Sequence, residues 1–149
     1  SACQALLTQG VTRRSLTEFH ARYRYLLMAH HPVQYKTLGN LLGSLGKQDP
    51  MGIAPQYFSE LMKALKKCAT RRTHTNVLQH ISGYLKQSIS AQDKQEVQQL
   101  IGQYLHGIVP LVVPLTLLKH HFRLHPHAYI SRQVYLQPHP EDLSLRNAI

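Results

Sequence analysis

One stretch of the sequence places polar side chains where an apolar helix face is expected. On a continuous helix from Pro55 to about Lys86, the apolar face would continue into a polar row. That row contains Arg72, Asn76, Gln79 and His80. Either the helix breaks within residues 70–75, or one long helix packs its two halves against different neighbours. In both cases the row continues a core face and suits an anionic or planar ligand, because buried polar groups need partners. The alternative is a helix break that leaves the row in water.

A second basic cluster runs from Lys119 to His127, at the end of a predicted helix. Its cations complement the negative end of a helix dipole, and they also suit phosphate contact with hydrogen bonds from His120 and His121. His121 and His125 have the spacing of two metal ligands on one helix face. No Cys, Asp or Glu follows nearby in the sequence to supply a third ligand, so we predict no metal site.

No arrangement of residues is typical of an active site. Seven acidic residues leave few paired carboxylates, and the chain has neither a Gly-rich phosphate loop nor a serine nucleophile elbow. Cys68 has basic neighbours that can activate a thiol, but its place near the apolar side of its helix favours a packed thiol. We therefore predict no cofactor and leave enzymatic activity open, with binding favoured over catalysis by the chain on its own.

The charge balance favours a polyanionic partner. The 149 residues include 17 Lys and Arg against 7 Asp and Glu, a net charge of +10 with the 11 histidines neutral. The resulting positive surface favours nucleic acid, nucleotides or anionic lipid, although a merely basic protein has the same balance. The longest apolar run, 108–118, falls short of the roughly 20 residues of a membrane span. With two cysteines and no signal peptide, these features predict a cytoplasmic protein without membrane contact.

Helical periodicity runs through almost the whole chain. We predict an all-α, single compact domain of five to six helices over residues 15–149, preceded by an N-terminal extension over residues 1–14. A capping box at Ser15–Glu18 is expected to begin the first helix and Ser90 to cap the fourth. The other predicted helices cover Val33–Leu45, Pro55 to about Lys86, and Pro114–His125, with a short helix or turn to Tyr135 and no clear period in the tail Pro138–Ile149.

Three long motifs and the chain end resemble the signatures of the YbgA-like family, a bacterial domain of unknown function. The resemblance covers nearly the whole chain from about Ser15. Its motifs here are Phe19–His30, Ala69–Tyr84, Pro110–His120, Gln133–Leu136 and Leu145–Asn147.

The resemblance implies an RNA-related role. Such domains occur alone or fused behind a cysteine-rich, iron–sulfur desulfidase-like domain associated with thiouracil bases, where they are thought to help hold tRNA. This chain has only two cysteines, so the desulfidase activity does not carry over to it, whereas the nucleic-acid role does.

We therefore expect a helical accessory module that binds RNA, with tRNA as the ligand and a desulfidase-like or modification enzyme as a partner. Phosphate contacts are expected from Arg71, Arg72, Lys119 and Arg123. Sugar or base contacts are expected from His74, Asn76, Gln79, His80 and His120, with stacking on Tyr84.

Two alternatives remain open. A histidine-dependent enzyme acting on a nucleotide or base requires His20, His74, His80 and His120 to line one pocket. A protein-interaction module for a desulfidase-like partner requires an exposed apolar patch instead.

Overall fold

Helices account for the regular structure of this chain. The computed structural model describes residues 2–44 and 49–137. Within them the chain forms α-helices and short 3₁₀ turns and no β-strand, so the all-α prediction is confirmed. The tail Pro138–Ile149 lies outside the described residues. The helices are α1 (Ala2–Gln9), α2 (Arg13–Arg22), α3 (Arg24–His30), α4 (Pro32–Gly43), α5 (Pro50–Leu65), α6 (Arg71–Ser82), α7 (Ala91–Leu105), α8 (Val112–Leu124) and α9 (Ala128–Ser131).

The helices form two compact units, which divide between Cys68 and Ala69. The first unit contains α1 to α5 around a core that includes Leu16, Leu27 and Tyr57. Part of the stretch expected as an extension takes part in it: Val11 is buried, and Cys3 and Leu6 of α1 pack against the same core. The second unit contains α6 to α9.

The start of α2 differs from the sequence prediction. Thr12, not Ser15, is the N-cap: its hydroxyl accepts a hydrogen bond from the Ser15 amide at 3.0 Å, and the Ser15 hydroxyl accepts one from the Thr12 amide at 2.9 Å. The predicted box of Ser15 and Glu18 is therefore wrong. The capping-box pattern also fits Thr12 to Ser15, three residues earlier, because a serine hydroxyl at the fourth position can accept from the backbone amide of the first, as a carboxylate does.

The predicted third helix is two helices. α5 begins at Pro50, where Asp49 caps the Met51 amide at 3.1 Å, and it ends at Leu65. α6 begins after Thr70, whose hydroxyl accepts from the Thr73 amide at 3.1 Å. The apolar positions of the sequence shift out of phase after Leu65 because residues 66–70 are not helical. Cys68 lies in this linker and is exposed, so the predicted packed thiol is wrong.

Three helices pack together in the second unit. α6 packs against α7 and α8, and α7 also packs against α8. The predicted Ser90 cap of α7 is confirmed, with its hydroxyl accepting from the Asp93 amide at 3.1 Å. α7 ends in a Schellman motif, in which Gly107 has a φ of 78° and the Ile108 amide donates to the Gln103 carbonyl at 2.8 Å.

None of the helices within residues 2–44 and 49–137 is both long enough and apolar enough to cross a membrane.

Candidate nucleic-acid interface

The polar row on α6 faces solvent. Arg72, Asn76, Gln79 and His80 are all exposed. The buried side of the helix carries Val77, Leu78 and Ile81. The expectation that the row continues a core face is therefore wrong, and the break lies at residues 66–70 instead of within 70–75. The structure has the alternative arrangement, with the row in water, so the row is available to a ligand as a surface rather than as a buried pocket.

Arg71 turns into the second unit instead of joining that surface. Its guanidinium Nη1 donates hydrogen bonds to the carbonyls of Tyr104 and, at 3.4 Å, of Val109. The guanidinium carbon lies 4.8 Å from the centre of the Tyr104 ring. Burial raises the pKa of Tyr104 to about 12, although Arg71 opposes that rise. Arg71 therefore holds the C-terminal end of α7, and we leave it out of the interface despite the predicted phosphate contact.

His74 is also engaged inside the unit. Its side chain is 1% exposed, and its Nδ1 forms a 2.7 Å hydrogen bond with the Tyr135 hydroxyl. Its ring stands edge-on to Tyr104, with 6.4 Å between the ring centres. A side chain at this depth does not contact a ligand at the surface, so the predicted base or sugar contact from His74 does not fit the structure.

The predicted residues of α8 lie on its outer side. Lys119, His120 and Arg123 are exposed, whereas His121 is buried. Arg123 Nη2 donates to His120 Nδ1 at 3.1 Å, since a guanidinium only donates. That hydrogen bond leaves Nε2 of His120 as the nitrogen that carries a proton. α8 thus presents two cations and an imidazole on exposed side chains within the five residues 119–123.

Tyr84 lies in the 3₁₀ turn Gly83–Leu85 that follows α6 and is half-buried. Its ring stands edge-on to His127 at 4.7 Å between centres and is tilted by 36° to Tyr129 at 6.0 Å. The predicted stacking residue is therefore a member of a small aromatic cluster.

A groove between the end of α6 and α7 was missed by the sequence analysis. Its volume is about 300 Å³, and we call it the α6–α7 groove. Gln79, Lys86 and Lys94 are among its lining residues. The two lysines were overlooked because a turn and a helix cap separate them. The spacing of Gln79, Gly83 and Lys86 at i, i+4 and i+7 was the available signal for one continuous face.

Bases outnumber acids in both units: residues 1–68 contain nine Lys and Arg against three Asp and Glu, and residues 69–137 contain seven against two. Between residues 69 and 137 the acids are Asp93 and Glu96. The bases there are Arg71, Arg72, Lys86, Lys94, Lys119, Arg123 and Arg132. The ion pairs between described residues, Arg14–Glu18 and Lys63–Glu60, both belong to the first unit. An anion near the described part of the second unit therefore meets few competing carboxylates.

The histidines required by the enzyme alternative do not line the α6–α7 groove. His20 is buried in the first unit, where its Nδ1 bonds the Tyr57 hydroxyl at 2.9 Å. In the second unit His74 is buried, while His80 and His120 are exposed. Among residues 2–44 and 49–137, no three His, Cys, Asp or Glu side chains lie close enough together to hold a metal ion.

Comparisons with known proteins give a family without an assigned activity. Residues 24–140 match the model of a family described as protein of unknown function (DUF1722). The chain is 33% identical over 144 residues to the "Uncharacterized protein YbgA" of Escherichia coli strain K12, covering 96% of this chain and 85% of that protein. No solved structure matches the chain.

Proposed function

Because this chain belongs to the DUF1722 family, as its resemblance to YbgA-like domains predicted, and that family carries no assigned activity, we propose a function from its own residues. We propose that it is a helical accessory module that binds RNA, with tRNA as the ligand. The observation that carries the proposal is the pair of exposed polar and basic faces on α6 and α8, where Arg72 and Arg123 form no ion pair with a described carboxylate.

The two faces supply different kinds of contact. Arg72, Lys119 and Arg123 would neutralise phosphates, which position an RNA without reading its sequence. The exposed side chains of Asn76 and His80 would hydrogen-bond sugar hydroxyls and the edges of unpaired bases. Gln79 and His120 would make the same kinds of contact beside them.

Arg71 and His74 act through the fold rather than on the ligand. Arg71 fixes the end of α7, and His74 joins α6 to Tyr135. Together these contacts hold α6 in one orientation, so its exposed row presents a preformed surface. Preformed surfaces bind with a smaller loss of conformational entropy than surfaces that order on binding.

The proposed role leaves the chemistry to a partner. We propose a desulfidase-like or other RNA-modifying enzyme in the cytoplasm as that partner, because YbgA-like domains also occur fused to such an enzyme. The module would increase the time that the RNA substrate spends near the partner's active site.

The salt dependence of tRNA binding tests the proposal. Three phosphate contacts predict that log K falls with log salt concentration with a slope of about −2 to −3. Between 50 and 200 mM salt, that slope corresponds to a loss of roughly 16- to 64-fold in affinity. Filter binding or fluorescence anisotropy measures it, and an affinity that is indifferent to salt would overturn the proposal.

A matched pair of double variants locates the binding surface. Arg72→Glu with Lys119→Glu changes the two proposed faces, and Arg13→Glu with Lys36→Glu makes the same charge change at exposed sites of the first unit. We expect the first variant to lose at least about tenfold in affinity and to flatten the salt slope by about 1.5, because two phosphate contacts are gone. The second should lose no more than about threefold; equal losses would indicate attraction by net charge alone.

Competition experiments test the choice of tRNA. Duplex DNA of similar charge should displace labelled tRNA at higher concentrations than unlabelled tRNA does, because it lacks 2′-hydroxyls and its bases are paired. Single-stranded RNA should also need higher concentrations, because it loses conformational freedom when it binds to a preformed surface. Equal competition by all three would reduce the proposal to general polyanion binding.

A further inference from the structure

The α6–α7 groove has an apolar floor. Leu85 and Val97 are buried, and Ile89 beside them is half-buried. The volume of about 300 Å³ lies at the lower end of the range of small-molecule sites. A planar group of the size of one base fits such a floor, because it can cover apolar side chains without burying a polar backbone.

The rim of the groove is basic and rich in amides. Lys86 is exposed and Lys94 is half-buried, and both line the groove. Asp93 and Glu96, the acids of α7, are not among the lining residues. Gln79 and Gln98 add two side-chain amides, each with a donor and an acceptor. An anionic ligand that also carries hydrogen-bonding edges therefore meets complementary groups here.

We propose that the α6–α7 groove binds a single nucleotide, either a free nucleoside monophosphate or one unpaired nucleotide of an RNA. The base lies over Leu85 and Val97, the amides of Gln79 and Gln98 contact its edge, and Lys86 and Lys94 contact the phosphate. The groove carries this proposal by itself, and it holds whether or not the exposed faces of α6 and α8 bind RNA.

Gly83 provides a way to fill the groove without disturbing the fold. It lines the groove, and its φ of −58° and ψ of −28° are helical. A Cβ placed on it meets no heavy atom within 4 Å. Gly83→Leu therefore introduces a side chain into open space at a backbone conformation that leucine favours. We expect the variant to remain folded and to lose nucleotide binding.

Isothermal titration calorimetry with UMP, AMP, uridine and inorganic phosphate tests the ligand class. We expect both monophosphates to bind, with uridine and inorganic phosphate at least about tenfold weaker, because each of the latter makes only part of the contacts. Inorganic phosphate that binds as tightly as UMP would overturn the nucleotide assignment. No heat from UMP or AMP at millimolar concentration would overturn the site.

Variants test the location. Gly83→Leu, and separately Lys86→Gln with Lys94→Gln, should each weaken UMP binding by about tenfold or more. Lys36→Gln, an exposed lysine of the first unit, is the matched control and should leave binding unchanged. Circular dichroism and Tm confirm that each variant is folded. If UMP binds both groove variants as tightly as the parent chain, the nucleotide sits elsewhere and the proposal is wrong.

Competition with RNA distinguishes the two sources of the nucleotide. If UMP displaces a bound RNA from the parent chain but not from Gly83→Leu, the groove receives a nucleotide of that RNA. If UMP binds without displacing RNA, the groove takes a free nucleotide. If the chain binds UMP but no RNA, the groove stands and the RNA-binding function fails, so the two proposals fail separately.

Discussion

Two helices of this chain begin with nearly the same four residues, Thr12-Arg13-Arg14-Ser15 at α2 and Thr70-Arg71-Arg72-Thr73 at α6. Both starts form the same reciprocal box, in which the hydroxyl of the first residue accepts from the amide of the fourth and the fourth hydroxyl returns the bond. The local geometry of the two starts is therefore alike, and the difference between them lies in what surrounds the arginines.

The surroundings separate the two pairs of arginines. Arg13 is exposed, whereas Arg71 at the same position of the box bonds backbone carbonyls near the end of α7. Arg14 pairs with Glu18 at 3.1 Å, four residues further along α2. The residue four positions after Arg72 is an asparagine. The cap sequence thus sets where each helix begins, while one residue on the next turn decides whether a surface charge is neutralised.

Each unit also ties a buried histidine to a distant tyrosine. His20 on α2 bonds Tyr57 on α5 at 2.9 Å, and His74 on α6 bonds Tyr135 at 2.7 Å. The partners are 37 and 61 residues apart, so each bond connects separate elements of its unit. In the first unit the His20 ring also stacks on Tyr35, with 4.7 Å between ring centres. The buried chemistry of the two units is similar, and their surfaces differ.

The largest expected effect concerns the buried pair of the first unit. Burial lowers the pKa of His20 from 6.5 to about 4, although a hydrogen bond involving Tyr35 opposes the change. Between pH 6.5 and about pH 4, His20 therefore binds a proton in the unfolded chain but not in the folded chain. The free energy of unfolding should fall as the pH is lowered from about 7 to about 4, by up to about 3 kcal/mol from this group.

Chemical denaturation across that pH range measures the effect, and the His20→Gln variant isolates it. The variant is less stable at pH 7, because it loses the ring contacts, but its stability should vary less between pH 7 and pH 4. An NMR titration of the His20 ring gives the pKa directly. An identical pH slope in the variant, or a midpoint near 6.5, would contradict the assignment.

The next prediction compares the free energy of unfolding when the first arginine of each capping box, Arg71 in α6 and Arg13 in α2, is removed. Arg71→Ala should lower the free energy of unfolding by about 2 kcal/mol, because charge-assisted hydrogen bonds and a cation–π contact are lost together. Arg13→Ala should change it by less than about 0.5 kcal/mol, since its side chain is exposed. Urea denaturation of both variants measures the difference. Equal effects would mean that the contacts of Arg71 with the end of α7 contribute little.

The sequence predicted the helices better than it predicted the faces. Periodicity located the Ser90 cap and the course of α7, because apolar spacing and a cap side chain are local signals. The faces of α6 were assigned by continuing a helical count from α5. The non-helical linker of residues 66–70 resets that count. Counted within α6 alone, His74 falls on the face of Val77, Leu78 and Ile81, so its burial follows from local spacing, whereas the contacts of Arg71 with the end of α7 do not.

Spacing could indicate one wall of the groove, formed by Gln79, Gly83 and Lys86, but not the whole groove. Lys86 and Lys94 lie on different elements, and only the packing of α6 against α7 brings them to one cavity. Single-residue features such as charge and amide type were visible in the sequence. Their convergence depends on tertiary contacts between segments that no local pattern connects.

The smallest expected effect transfers the charge pairing of α2 to α6. Asn76→Glu places a carboxylate four residues after Arg72, as Glu18 follows Arg14, and should lower tRNA affinity by about fivefold and flatten the salt slope by about 0.8. Asn40→Glu is the matched control, since it follows Lys36 at the same spacing on α4, and Asn76→Ala measures the loss of the amide alone. Exposed pairs of this kind contribute less than about 1 kcal/mol, so stability should hardly change. If Asn40→Glu weakens tRNA binding as much as Asn76→Glu, the residue four positions after Arg72 does not decide which unit binds RNA.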